Sequence, residues 1–436
     1  MVQELIGRSE EGRPLRVVYA GEAAAPLRVL VVAGQHGDEE PARAAVEEFL
    51  RTVRAVGCPR VRLAVVPDLN PDGAARNQRS NARGLDLNRD HQRLAAAETQ
   101  ALHRFVRAWH PHLVVDVHTY PPRRRRLLAH HLVHCHDLFL DAATTPSLRR
   151  PALDAEAPGF LPPVLAALNA RGYRSARYIV TTADGEVRHS TPDVRDARNG
   201  LALRYGVPTL LIEGRKPMRG DGSAGRARLR AAVGAALDVV LRWAGENEGL
   251  LTAPAPPPAD AEWVAIRCRR RRADPCVLPF LDARSGAIRE REVPGVYRPR
   301  IEVTQRIRLP AAYAVPRAHG PLLAVLRRHG FASLPADPNV CGTVERYRLV
   351  SPPRRERQGR PSADTLVEQR TLAGSVLFPV TADGGHALAV YLEPESKYGL
   401  HRFAEMGLAA PPGSFYPVWR VLRWNPPAEP GTSGGE

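Results

Sequence analysis

The chain has 436 residues, 44% hydrophobic and 25% charged, and its formal net charge of +16 is carried almost wholly by arginine. That balance is ordinary for soluble globular domains and excludes a disordered or fibrous chain, while the length suggests two or three domains. No apolar run reaches the roughly 18 residues of a membrane helix, and the first residues lack the basic start and apolar core of a secretory signal, so no membrane partner is expected.

Residues 1–245 read as alternating strand and helix. Apolar runs at Leu15–Val18, Leu27–Ala33, Val61–Val66, Leu113–Val117 and Val207–Ile212 are short, continuous and rich in Val and Leu. Strands buried on both faces look like this. Between them, Val46, Phe49, Leu50 and Val53 recur at helical spacing, as do Leu102, Phe105, Val106 and Trp109. A third stripe runs through Leu229, Val233, Ala236, Val240 and Trp243. The alternation predicts an α/β domain around a central sheet.

Residues 246–261 are rich in Pro and Ala and read as a linker. Beyond it, residues 262–425 read as a smaller β-rich or mixed domain. Strands are expected at Tyr313–Val315, Val344–Val350, Gly374–Val380 and Ala387–Leu392, and a helix from Pro321 to His329. Residues 426–436 read as a disordered tail. The five cysteines, Cys58, Cys135, Cys268, Cys276 and Cys341, are scattered and odd in number. They fit reduced thiols, and with no targeting segment in view the expected location is cytoplasmic.

The chemistry begins at Ala33–Glu40, where an apolar run ends and a turn carries His36 and Glu39 three positions apart, just before Pro41. Proline in a first helical turn marks a helix start. A His and a carboxylate on such a turn supply half of a two-His, one-carboxylate zinc site. His118 follows the run that starts at Leu113, and Glu213 ends the run that starts at Val207. Ligands of α/β folds gather at the carboxyl ends of strands, so all three residues lie where a site belongs.

Further pieces stand in order between them: Asn70-Pro71-Asp72-Gly73, then Arg79, then Asp86-Leu87-Asn88-Arg89, then Asp116-Val117-His118-Thr119. Together they resemble the zinc carboxypeptidase family, the carboxypeptidase A-like metallopeptidases, over residues 1 to about 245, with the spacings of its shorter bacterial members. The resemblance implies an α/β fold whose central sheet is mixed, largely parallel and flanked by helices. It implies one zinc ion held by His36, Glu39 and His118, with Asp86 orienting the first histidine. Glu213 matches the general base and Arg79 the arginine that steadies the oxyanion. Asn88 and Arg89 match the pair that grips the substrate's terminal carboxylate. The implied substrate is a peptide or amide with a free carboxylate, cut at its C-terminal residue. The family's capping tyrosine has no secured counterpart, Tyr178 and Tyr205 being the residues available.

Other features have blander readings. The spacing of His130, His131, His134, Cys135 and His136 is not a zinc motif, and a partly buried strand with surface histidines explains it. Arg123–Arg126 reads as a solvated loop. Arg267 with Arg269–Arg272 lacks the interleaved aromatics of a nucleic-acid patch, and no nucleic-acid partner is expected. Arg188, Arg195 and Arg198 precede Glu213 in the region that builds the family's specificity pocket; Arg198 is the expected contact for an acidic terminal residue. Two alternatives stand beside the peptidase: a zinc deacylase resembling the succinylglutamate desuccinylase and aspartoacylase group, which Asn70-Pro71-Asp72-Gly73 disfavours, and a catalytically inactive binding module, which the full ligand set disfavours.

Overall fold

A computed structural model describes residues 2–56, 60–148, 153, 158–181, 187–254, 263–272, 276–293, 299–336, 340–350, 363–381 and 384–424. It divides into two compact units: Met1–Pro258 with Arg269–Glu302, and Ala259–Cys268 with Val303–Glu436.

Among the described residues the first unit has eleven strands before residue 216: β1 (Gln3–Arg8), β2 (Pro14–Ala20), β3 (Leu27–Ala33), β4 (Val61–Val66), β5 (Leu113–Tyr120), β6 (Leu132–Val133), β7 (Leu138–Ala142), β8 (Ser175–Arg177), β9 (Ile179–Thr181), β10 (Val187–His189) and β11 (Thr209–Arg215). Its helices are α1 (Glu40–Val56), α2 (Pro71–Ala75), α3 (Ala97–Trp109), α4 (Arg125–Leu128), α5 (Leu161–Ala170), α6 (Ala197–Tyr205), α7 (Gly222–Glu246) and α8 (Glu248–Thr252). Eight strands form one sheet in the order β1-β2-β4-β3-β5-β11-β7-β8. The pairs β3–β4, β3–β5, β5–β11 and β7–β8 are parallel, whereas β1–β2, β2–β4 and β7–β11 are antiparallel. The sheet is therefore mixed, as expected, with four of its seven pairings parallel.

Successive side chains of a strand point to opposite faces, and β3 uses both. Leu27, Val29, Val31 and Ala33 join the core formed with Val46 and Phe49 of α1, Val164 of α5 and Val233 of α7. Leu30 and Val32 join a second core with Leu102 and Phe105 of α3 and Leu201 of α6. Helices thus cover both faces, which is why the strand reads as an unbroken apolar run.

Past the helices the chain returns to this unit. After β12 (Trp263–Arg271), strands β13 (Cys276–Asp282) and β14 (Ile288–Val293) form an antiparallel hairpin, followed by β15 (Arg300–Arg308). The hairpin pairs with β6 through Leu281↔Val133 and Asp282↔Leu132. Phe280 is buried beside His134, ring centroids 5.9 Å apart.

The second unit is an antiparallel sheet of β17 (Leu334–Pro335), β20 (Ser375–Pro379), β16 (Ala312–Pro316), β21 (Trp419–Trp424), β18 (Cys341–Leu349) and β19 (Ala363–Thr371), in that order. Its helices are α9 (Gly320–Arg328) and α10 (Gly385–Leu392). Helix α10 corrects the strand expected at Ala387–Leu392. Every residue of that run is buried, and an all-apolar stretch of six suits a buried strand or a buried helix equally well.

Of the stretch read as a linker, Glu246 closes α7 and Glu248–Thr252 is helical, while 255–261 lie outside the described residues, as does the tail 426–436. Among the described residues no helix is long and apolar enough to cross a membrane.

Candidate metal centre

Three neighbouring parallel strands, β3, β5 and β11, deliver their carboxyl ends to one edge of the sheet. After β3 the chain turns at Gly34, whose φ of 72° is left-handed. The turn then passes directly over α2. A Cβ on Gly37 would come within 2.1 Å of the Gly73 carbonyl carbon and 2.3 Å of the Ala74 nitrogen, so only glycine fits. Asn70 caps α2 by accepting from the Gly73 N–H at 2.9 Å, and its amide donates to the Gln35 carbonyl at 3.2 Å. The Asn70-Pro71-Asp72-Gly73 piece is thus the platform under the turn that bears His36.

On that turn His36 Nδ1 is 2.9 Å from Glu39 Oε1, and His118 Nδ1, reaching in from β5, is 3.1 Å from Glu39 Oε2. The ligand atoms of the three residues all lie within 4.8 Å of one another and all three residues are buried. The Thr119 N–H fixes Glu39 Oε2 at 2.9 Å. The far nitrogens face carboxylates: His36 Nε2 is 3.1 Å from Asp86 Oδ1, and His118 Nε2 is 3.1 Å from Asp116 Oδ2. Each Nε2 can donate to its outer carboxylate, and a cation at the focus would take the Nδ1 lone pairs together with Glu39. Two imidazoles and a carboxylate sharing one focus, each imidazole backed by a second carboxylate, fit a zinc ion. Among the described residues this is the one such group; the histidines between His130 and His136 do not converge.

The charges agree with the geometry. Burial opposes the ionised form of Glu39, but His118 and His36 outweigh it and hold the carboxyl well below its ordinary range. Burial also opposes charge on His118, and Asp116 and Glu39 outweigh it, raising that imidazole well above the usual value. Asp86 would be raised by burial, yet the hydrogen bond from His36 and the charges of Arg79 and Arg89 hold it low. Such a cluster of negative charge around two imidazoles is poised for a dication.

Glu213 lies inside β11, further from the strand end than the apolar run implied, as the register partner of His118 on β5 and of Phe139 on β7. Burial pushes its carboxyl up to about 7, against the pull of His118. Arg79 is exposed at the rim and forks onto Asp86 Oδ2 through Nε at 3.1 Å and Nη2 at 2.9 Å. Its Nη1 stands 3.3 Å from His36 Nδ1. Asn88 is buried: its Nδ2 lies 3.1 Å from His118 Nε2, and its Oδ1 accepts from the Ala197 N–H at 2.8 Å. Arg89 is exposed and donates to the Asn88 carbonyl.

Arg198 lies elsewhere. It is buried at the start of α6 and pairs with Asp141, which also receives Arg177 at 3.0 Å and the Ser190 hydroxyl at 2.6 Å. Arg195 forks onto Asp193. Tyr205 hydrogen-bonds His103. Tyr178 packs on Phe139, and burial raises its hydroxyl, with the charges of Glu213, Arg124, Arg198 and Arg89 all bearing on it.

Two residues of the cluster had no role in the sequence reading: Asp116, quoted there only as part of the piece that holds His118, and Gln35. Asp116 is the sole charge in an apolar strand, two positions from His118 and so on the same face. Gln35, next to His36, is fully buried and donates to Asp116 Oδ1 at 2.7 Å. The isolated charge was the available signal for Asp116; Gln35 offered none.

Residues 2–121 match the model of a family described as zinc carboxypeptidase. "Probable carboxypeptidase 2" of Trichophyton verrucosum is 27% identical over 150 residues, which cover 31% of this chain and 29% of that protein. Murein peptide amidase A of Escherichia coli K12 is 36% identical over 103 residues, 23% of this chain and 40% of that one. The chain thus spans less than half the length of these relatives. A solved metallo-carboxypeptidase from Pseudomonas aeruginosa, in complex with (2-guanidinoethylmercapto)succinic acid, is 22% identical. It covers 57% of this chain and 65% of its own, with a TM-score of 0.43.

Proposed function

We propose, from the match of residues 2–121 to the zinc carboxypeptidase family model, that this protein is a zinc-dependent hydrolase that removes the C-terminal residue from a peptide or related amide. The observation that carries the reading is the convergence of His36, Glu39 and His118, each histidine backed by its own carboxylate.

Zinc held there would supply a Lewis acid that acidifies a water and polarises the scissile carbonyl. In this reading the chain's own groups do the rest. Glu213, which burial keeps near neutrality in its affinity for protons, takes a proton at its carboxylate and returns it to the departing amine. Arg79 offers N–H donors to the negative charge that develops on the carbonyl oxygen; such a donor is typically worth about 2.7–4 kcal/mol. Arg89 presents an exposed guanidinium fork for the terminal carboxylate, which lysine could not hold through two parallel hydrogen bonds. Asn88 positions that end of the site. A cytoplasmic location accompanies this proposal.

The finer proposal is a preference for an acidic terminal residue. Arg89 and Arg124 both bear on Tyr178, so an anionic leaving residue would meet two positive charges there, the charge of Arg198 being taken by Asp141. The likeness to murein peptide amidase A makes short muropeptides part of the same class. The test is digestion of peptides ending in Glu, Lys and Phe, of muropeptides and of N-acyl amino acids, with and without a chelator and again with Glu213→Gln. Cleavage that survives chelation and Glu213→Gln would refute the mechanism. Faster cleavage of Phe or Lys ends would refute only the acidic preference, and cleavage of acyl amino acids alone would select the deacylase.

A further inference from the structure

Behind the metal centre a line of polar side chains runs from Asp116 to helices α3 and α6 on the same face of the sheet. Gln35 Nε2 is 2.7 Å from Asp116 Oδ1, and Gln35 Oε1 is 2.8 Å from His91 Nε2. His91 Nδ1 is 3.0 Å from His103 Nε2 on α3, and His103 Nδ1 is 2.9 Å from the Tyr205 hydroxyl at the end of α6. Gln35, His91 and His103 are fully buried.

The direction of every proton along this line follows from its first member. Asp116 accepts only, so the nitrogen of the Gln35 amide must face it and the oxygen must face His91. His91 then donates from Nε2 and accepts at Nδ1. His103 in turn donates from Nε2 and accepts at Nδ1 from the Tyr205 hydroxyl, whose other neighbour, the His103 carbonyl, is farther off at 3.4 Å. Burial holds the His91 imidazole down to about 4, which keeps it in the neutral form this order requires. Reversing one link would leave buried donors and acceptors unpaired, which burial penalises. All donors therefore point toward Asp116, whose second oxygen takes the His118 Nε2 proton.

We propose that Gln35, His91, His103 and Tyr205 are positioning residues, a brace that fixes the Asp116 carboxylate and through it the orientation and tautomer of His118. The brace sets how tightly the centre holds zinc, and it anchors α3 and α6 to the site. The inference rests on the metallopeptidase reading for the identity of the metal, and its measurement does not depend on peptidase activity.

The test is zinc titration of the metal-free full-length protein against a chromophoric chelator, with thermal melting of the metal-free form in parallel. His91→Leu leaves the Gln35 oxygen without a donor, whereas His91→Gln keeps an N–H there. The expected result is zinc held about 10–100-fold more weakly in His91→Leu, as for other outer partners of metal-binding histidines, with most of the loss recovered in His91→Gln. A purely structural role would lower the melting temperature and leave zinc affinity alone; wild-type affinity in a folded His91→Leu overturns the brace. Should His91→Leu fail to fold, Tyr205→Phe removes only the last donor and is expected to weaken zinc by about threefold. Unchanged affinity in that variant also overturns the brace. Wild-type protein that binds no zinc overturns the metallopeptidase reading, and the brace with it.

Discussion

Glu213 and His118 are register partners on adjacent parallel strands, β11 and β5, which places a carboxyl raised to about 7 beside a residue of the metal centre. The two roles are separable, because Glu213 is not one of the three converging ligands. Glu213→Gln is expected to lower kcat by about 10²–10⁴-fold while zinc per chain stays at the wild-type value. Measuring both on one preparation decides it. A variant that loses zinc and activity together would make Glu213 part of the centre rather than the base.

The two backing carboxylates should differ in what they cost. Asp116→Asn keeps the shape but replaces an acceptor-only group, and zinc affinity is expected to fall about 10–100-fold. At saturating zinc most of its kcat should return. Asp86→Asn additionally releases the fork of Arg79, so kcat is expected to stay low even with zinc in excess. Equal recovery in both variants would argue that Arg79 owes nothing to Asp86.

Gly37 is a steric prediction with no chemistry in it. A Cβ there would meet the Gly73 backbone at 2.1 Å, and backbone cannot swing aside as a flexible side chain can. Gly37→Ala is expected to cost upward of about 2–3 kcal/mol in urea unfolding and to displace the turn that carries His36. An alanine variant with wild-type stability would show that α2 moves freely.

Much of this site could be read from the chain because its parts sit at strand ends. The runs Leu27–Ala33 and Val61–Val66 match β3 and β4 end to end, and a polar turn after a buried strand has few other reasons to exist. What escaped depends on long-range pairing. Nothing local tells that Gln35 faces Asp116 or that Asp141 would enclose Arg198, since partners far apart in sequence leave no periodic trace. Helix α10 failed for a different reason: Ala387–Leu392 is buried all round, and periodicity is lost when no face is wet.

His134 offers a test of burial through pH. It is enclosed by Tyr120, Phe139 and Phe280, its Nδ1 has no hydrogen-bond partner, and burial lowers it to about 3. In the unfolded chain the ring titrates near 6.5. Between those values the unfolded chain binds a proton that the folded one refuses. The stability is therefore complete above pH 6.5 and drains away as pH falls toward 3. His134→Phe lacks this liability. Relative to wild type it is expected to gain up to about 1.4 kcal/mol per pH unit below 6.5, measured by urea unfolding at pH 7, 6 and 5. A pH-independent difference would show that the His134 ring titrates alike in the folded and unfolded chain.

The hairpin β13–β14 belongs to the unit that holds the metal centre, although it is encoded beyond α7 and α8. A fragment ending at Pro258 would leave β6 unpaired on that side and uncover His134, forfeiting roughly 1.5–3 kcal/mol for Phe280 alone. Its melting temperature is expected to fall below that of the full chain. During synthesis the same geometry imposes an order of events. The strands that carry His36 and His118 leave the ribosome early, yet the wall beside them waits for residues translated much later. The nascent chain is therefore unfinished while most of the candidate site already exists.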